Sequence, residues 1–176
     1  MWNEQIIMML LEGIKDTLYM TLTSTLIGYV IGLPMGILLT VTDKDGIHPN
    51  AAVYKVLDVI ANLIRSVPFL ILLIVLIPFT RFLIGRSYGP TATIVPLVIA
   101  AAPYIARMVE SSLKEVDAGV IEAARSMGAS NFTIVTKVML VEARTSLIVG
   151  ATISLGTILG SVSYTHLRAH ETDQYL

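Results

Sequence analysis

The sequence contains no cysteine. Disulfides, thiolate metal sites and cysteine nucleophiles are therefore excluded. Charge is scarce too: Asp, Glu, Lys and Arg make up 14% of residues, against roughly 25% in ordinary soluble domains. The formal net charge of −1 provides no basic surface of the kind that binds nucleic acid, and none is expected as a partner. His48, His166 and His170 are the only histidines; they differ in setting and lie far apart, so no metal site is expected. No G-x-x-x-x-G-K-S/T run is present to cradle a phosphate, so no nucleotide cofactor is expected in this chain. Against these absences stand 55% hydrophobic residues and a mean hydropathy of +0.76. That is the composition of an all-α membrane protein.

Residues 1–15 place Ile6, Met9, Leu10 and Ile14 on an apolar face, with Glu4, Glu12 and Lys15 polar. This pattern predicts a short interfacial helix with Trp2 at headgroup level. No basic stretch precedes the apolar run, so it does not read as a signal peptide. Residues 17–42 carry no charge, and at ~1.5 Å per residue they reach roughly 39 Å, enough to cross ~30 Å of hydrocarbon with tilt. Within them Gly28, Gly32 and Gly36 repeat every fourth residue. That stripe suits the close approach of another helix, the alternative being ordinary glycine usage in membrane helices. Pro34 is expected to kink the span.

A polar turn at residues 43–50 precedes a second expected span at about 55–83, which contains Arg65, Pro68 and Pro78. Arg65 costs at least ~2.5–3.5 kcal/mol if it sits at the bilayer centre. It is either an interface anchor or a packed or gating residue beside Pro68. A third span is expected at about 91–110, interrupted by Pro96 and Pro103, and a fourth at about 138–161. Glu110 and Lys114 form a favourable pair one turn apart as the third helix leaves the membrane. The loops after the first and third spans, with their flanks, hold seven basic residues, and the opposite side holds three. Short cytoplasmic loops carry the excess of Lys and Arg, so the long loop at 111–137 is expected in the cytoplasm.

That loop contains Glu122-Ala123-Ala124-Arg125-Ser126-Met127-Gly128. Asp117 is suited to cap a helix start. Val120, Ile121, Ala124 and Met127 fall at helical spacing and predict one apolar stripe. Gly128 allows a left-handed exit, and Ser130 suits the cap of a following helix. A short amphipathic helix with Glu122 and Arg125 beside its apolar face fits a groove on another protein; by itself the same stretch also reads as a plain surface helix hairpin.

These residues resemble the Glu-Ala-Ala loop of bacterial ABC importer permeases. Glu122, Ala123, Ala124 and Gly128 match the pattern, and Val138 and Leu140 match in type. Val141 stands where the family has proline, and Arg144 is a further departure. Ile31-Gly32-Leu33-Pro34-Met35-Gly36, Arg65-Ser66-Val67-Pro68-Phe69 and residues 101–110 extend the likeness over residues 1–161. There the chain is most similar to permease subunits of methionine importers. The resemblance implies a polytopic helical bundle in the bacterial inner membrane that pairs as a homodimer. It also implies two ATP-binding subunits docking on the cytoplasmic loop, and a substrate-binding protein or lipoprotein delivering D- or L-methionine from outside. ATP would be bound and hydrolysed by the partner, so this chain is not expected to be an enzyme and carries no catalytic residue. Glu122, Ala123, Ala124, Arg125, Met127 and Gly128 would form the coupling element. Arg65, Pro68, Gly28, Gly32 and Gly36 would serve gating or packing.

Family members of this type have five spans, and four are expected here, as in a C-terminally truncated chain. Residues 162–172 resemble one frame of a translated transposase-type sequencing adapter, which predicts a non-native tail at 162–176; a genuine polar tail is the alternative. Other functions remain in view. A different amino acid is an alternative cargo. An intramembrane enzyme needs convergent ionisable groups, of which the spans offer only Arg65, Glu142 and Arg144. A channel subunit needs no docking helix.

Overall fold

A computed structural model describes residues 4–172, and the side chains of all of these but 5, 6 and 163–172. No strand occurs among the described residues. The first helix, α1 (Glu4–Thr42), runs unbroken for 39 residues. The separate interfacial helix expected for residues 1–15 is thus continuous with the first span. Nothing between them stops the backbone, and Thr17 closes the junction by donating its hydroxyl to the Gly13 carbonyl at 2.7 Å. Trp2 lies outside the described residues. Pro34 sits inside the continuous helix.

The helix around which the others gather is α5 (Pro90–Lys114). Leu97, Ile105, Val109 and Leu113 along it are at most 2% exposed. It continues through Pro96 and Pro103 rather than being interrupted, and it ends at Lys114, four residues beyond the expected boundary. Proline within a membrane helix frees one carbonyl, which neighbouring groups can satisfy. The glycine stripe of α1 lies against this helix. A β-carbon built on Gly32 would stand 2.8 Å from the Ala102 carbonyl, and one on Gly36 2.6 Å from that of Ala106. The stripe is therefore a site of close helix approach, and the partner helix belongs to the same chain.

The second span is broken. Helix α2 (Ala51–Ser66) and helix α3 (Phe69–Val75) meet at 102°, and α4 (Ile77–Ile84) follows. Within the span expected over 55–83 the helix breaks at Val67-Pro68. Proline disfavours the helical region for the residue before it, and Val67 accordingly adopts ψ 124°. Gly85, with φ 82°, then ends α4 in a left-handed turn. By length and composition three helices can cross a membrane, over Ile7–Thr42, Pro90–Lys114 and Arg144–Val162, or four if the bent pair counts as one span.

After α5 come α6 (Ala118–Ser126), a single turn α7 (Asn131–Thr133), a π-helical stretch (Ile134–Met139), α8 (Leu140–Glu142) and the long α9 (Arg144–Thr172). The fourth long helix starts at Arg144, not at 138. The wider π turns let Ile134, Val135 and Met139 all reach the core, where none is more than 9% exposed. α9 packs on α1 and α5, burying Ile158 and Val162. The backbone remains helical through Thr172; residues 173–176 of the expected tail lie outside the described residues, as do the side chains of 163–172.

Candidate functional site

One end of the bundle carries the ion pairs that join its helices. There the α1–α2 turn, the start of α2, the end of α5 and the whole of α6 come together. Asp117 caps α6 by accepting from the Gly119 backbone N–H at 2.7 Å. The helix closes through Gly128, at φ 82°, where the Gly128 N–H donates to the Arg125 carbonyl at 3.0 Å and the Ala129 N–H to the Ala124 carbonyl at 3.1 Å. A residue with a β-carbon is strained in that conformation. Ser130 caps the next turn by accepting from the Thr133 N–H at 3.3 Å.

The expected apolar stripe of α6 divides in two. Ala124 is buried and Ile121 packs beside it against the core of this chain. Val120 and Met127 point away, Met127 with 82% exposure, and Phe132 on the next turn is 78% exposed. The two alanines of the motif therefore differ: Ala124 seats α6 on the bundle, and Ala123 faces outward. Glu122 is exposed as well, and its carboxylate makes no hydrogen bond among the described residues. Arg125 holds the helix in place by donating to the Ile47 carbonyl of the α1–α2 turn at 3.2 Å. Between that turn and α6 lies a cavity of about 510 Å³ bordered by Asp43, Ile47, Ile121, Glu122 and Arg125.

Beneath this surface runs an ion-pair network that sequence reading found only in part. Glu110 and Lys114 are paired at 2.7 Å as expected. Lys114 also reaches Asp43 at the end of α1, at 2.7 Å. Arg107 pairs with Glu110 at 2.7 Å and with Asp58 of α2, and donates to the Asn62 side chain at 3.1 Å. The Tyr54 hydroxyl donates to Glu110 at 3.4 Å. Glu110 is only 5% exposed, and a buried carboxylate without such partners would be strongly unfavourable. A hydrogen bond from the Lys114 ammonium holds the Asp43 carboxyl below the usual carboxylate range. Asp58 and Asn62, one turn apart on the same face of α2, were the legible clue to this network.

The remaining candidates are placed elsewhere. Gly28, Gly32 and Gly36 lie on the α1–α5 contact. Arg65 occupies the last turn of α2 and Pro68 the bend that follows, both exposed and remote from α6. Among the described residues no group of three or more His, Cys, Asp or Glu is arranged to hold a metal.

A bundle of long apolar helices, with one broken span and a short helix carried on a polar loop, is the architecture of a polytopic membrane protein. The chain belongs to the family of binding-protein-dependent transport system inner membrane components, whose pattern matches residues 7–166. It is 49% identical over 158 residues to the D-methionine transport system permease protein MetI of Salmonella typhimurium (strain LT2), and 49% to that of Escherichia coli (strain K12). Each alignment covers 90% of this chain and 73% of the relative. Among solved structures it is similar to an inward-facing conformation of the MetNI methionine ABC transporter, with TM-score 0.90 at 48% identity, over 93% of this chain and 76% of that one. It shares its fold with an amino acid ABC transporter with histidines, TM-score 0.72 at 21% identity, over 96% and 77% of the two chains. The protein is thus a multi-pass inner-membrane transport component, a transporter rather than an enzyme.

Proposed function

We propose that this chain is the membrane-spanning subunit of an ATP-driven importer of methionine in its D and L forms. The observation that carries the reading is the 49% identity to D-methionine permeases, spread over 90% of the chain. In the working complex two copies pair, two ATP-binding subunits dock on the cytoplasmic face, and an extracytoplasmic binding protein or lipoprotein delivers the amino acid. ATP binds to the partner subunit.

The coupling element is α6. Val120, Ala123, Met127 and Phe132 offer a small apolar surface to a groove on the ATP-binding subunit, with Glu122 as a polar contact beside it. Movement of that groove passes to the bundle by two routes. One is the seat of Ala124 and Ile121 on the core; the other is the contact of Arg125 with the α1–α2 turn, which Lys114 and Arg107 tie to α5 and α2. Interactions of this kind move an equilibrium between two arrangements only if they differ between them.

The test is reconstitution of the permease, expressed from its complete gene, with its ATP-binding subunit and binding protein in liposomes. ATP-dependent uptake of labelled L- and D-methionine, with stimulated ATP hydrolysis, is expected. Uptake of another amino acid without methionine would refute the cargo. Failure of an ATP-binding subunit to co-purify would refute the importer.

A further inference from the structure

Arg65 stands outside the network described above, as do Lys55 and Arg81 near the two ends of the second span, but it alone of the three lies at the bend. It lies seven residues beyond Asp58 along α2, about 10 Å further from the charged end of the bundle. Cations at such depth are expensive, and where they persist they face a partner or a water-filled cavity. None of the ion pairs among the described residues involves Arg65. It instead borders a cavity of about 280 Å³ at the 102° bend, between α2, α3, α5 and α9. That volume is close to the lower end of small-molecule sites, roughly 300–1,000 Å³.

The cavity wall is chemically divided. Phe69 and Leu97 supply apolar surface, while Tyr104, Thr157 and Ser161 bring hydroxyls. The Thr157 hydroxyl donates to the Ile153 carbonyl at 2.9 Å and the Ser161 hydroxyl to the Thr157 carbonyl at 3.1 Å, so both oxygens keep lone pairs for an incoming donor. Thr157 also approaches the Tyr104 hydroxyl at 3.4 Å. A guanidinium, hydroxyl acceptors and an apolar wall around one cavity match the carboxylate, ammonium and side chain of an amino-acid zwitterion. Sites formed where a helix is broken inside the membrane are a recurrent solution in transporters.

We propose that the cavity at the α2–α3 bend is a binding station for the transported amino acid, with Arg65 as the residue that receives its α-carboxylate. The proposal rests on the reading that the chain moves an amino acid. Arg65 then meets its counter-charge while cargo is present, which accounts for a cation in the second span with no ion-pair partner among the described residues.

The experiment measures equilibrium binding of labelled L-methionine to the purified complex of permease, expressed from its complete gene, and ATP-binding subunit, without binding protein. Competition uses methionine and methioninol, which replaces the carboxylate by a neutral alcohol. Each measurement is referred to the ATP-binding subunit purified alone, so that methionine held by that subunit is subtracted. Arg65→Gln is expected to weaken binding about tenfold to a hundredfold and to erase the preference for methionine over methioninol. Arg65→Lys should retain part of both, because it keeps a point charge without the fork. Unchanged affinity, or weaker binding with the preference intact, overturns the assignment; the second result would mean that Arg65 meets a carboxylate of the paired copy instead. Co-purification of the ATP-binding subunit reads assembly independently. If Arg65→Gln does not assemble, Arg65→Lys and Tyr104→Phe carry the test, and wild-type affinity in both overturns it. Should the wild-type complex import a different amino acid, that compound and its alcohol analogue replace the pair. The cargo reading then fails while the site remains open to refutation by the same comparison.

Discussion

Replacing Gly36 by alanine tests whether α1 and α5 are held together by backbone proximity. The added carbon would stand 2.6 Å from the Ala106 carbonyl oxygen and 2.6 Å from the Val109 β-carbon, whereas unstrained carbon contacts lie at about 3.5–4.0 Å. Neither neighbour can turn aside: one is backbone, and the other is the branch point of a valine 1% exposed. The helices must therefore separate by about 1 Å, and overpacking of this kind costs about 1–3 kcal/mol. Alanine's better helix propensity returns up to ~1 kcal/mol, leaving a net loss of about 1–2 kcal/mol. Gly28→Ala should cost less, because its nearest neighbour at 3.0 Å is the mobile end of the Ile105 side chain. Gly156→Ala is the control: nothing lies within 4 Å of the added carbon, so only the propensity gain applies. Thermal unfolding in detergent reads the series, at roughly 2–4 °C per kcal/mol for a chain of this size. Gly36→Ala should melt lowest, Gly28→Ala between, and Gly156→Ala at or above wild type. If Gly36→Ala melts with Gly156→Ala, close packing along the stripe does not stabilise the bundle.

Gly128→Val forces a β-branched residue toward φ 82°, a strain of about 1–3 kcal/mol. It should abolish substrate-stimulated ATP hydrolysis and pull-down of the ATP-binding subunit while membrane insertion persists; Glu122→Ala should do less harm, and wild-type stimulation by Gly128→Val would refute α6 as the coupling element. Asp43 is held below its usual range in the folded protein, so its contribution to stability is complete above the unfolded value of ~3.9 and disappears as pH falls through the folded one. The stability gap between wild type and Asp43→Asn should be present at pH 7 and close below about pH 4; a gap independent of pH would show that the Lys114 pair is not its source. Since the chain has no cysteine, single substitutions report topology cleanly: an impermeant maleimide should label Ser87→Cys but not Ser130→Cys in intact cells, and the reverse would invert the assigned orientation.

Membrane class was written in composition, and family in a few residues whose chemistry is local. Asp117, Gly128 and Ser130 cap and turn the α6 hairpin through contacts within a few positions, so sequence alone placed that helix to within a residue. The same holds for the Gly28-Gly32-Gly36 stripe, which announces a close contact. It does not say with which helix, because a lateral partner is chosen by packing over the whole bundle. Tertiary structure alone separated Ala124 from Ala123, one inward and one outward, since the hydrophobic period marks a face but not what covers it. It also decided that Pro68 breaks its span while Pro34, Pro96 and Pro103 do not. The covalent restriction is identical at all four, so residue type alone does not distinguish them. The network joining Asp43, Asp58, Arg107, Glu110 and Lys114 shows the same limit. Its i,i+3 and i,i+4 members are legible in the chain. Asp43 and Asp58 join them across 71 and 49 positions, a proximity that exists only once three helices have packed.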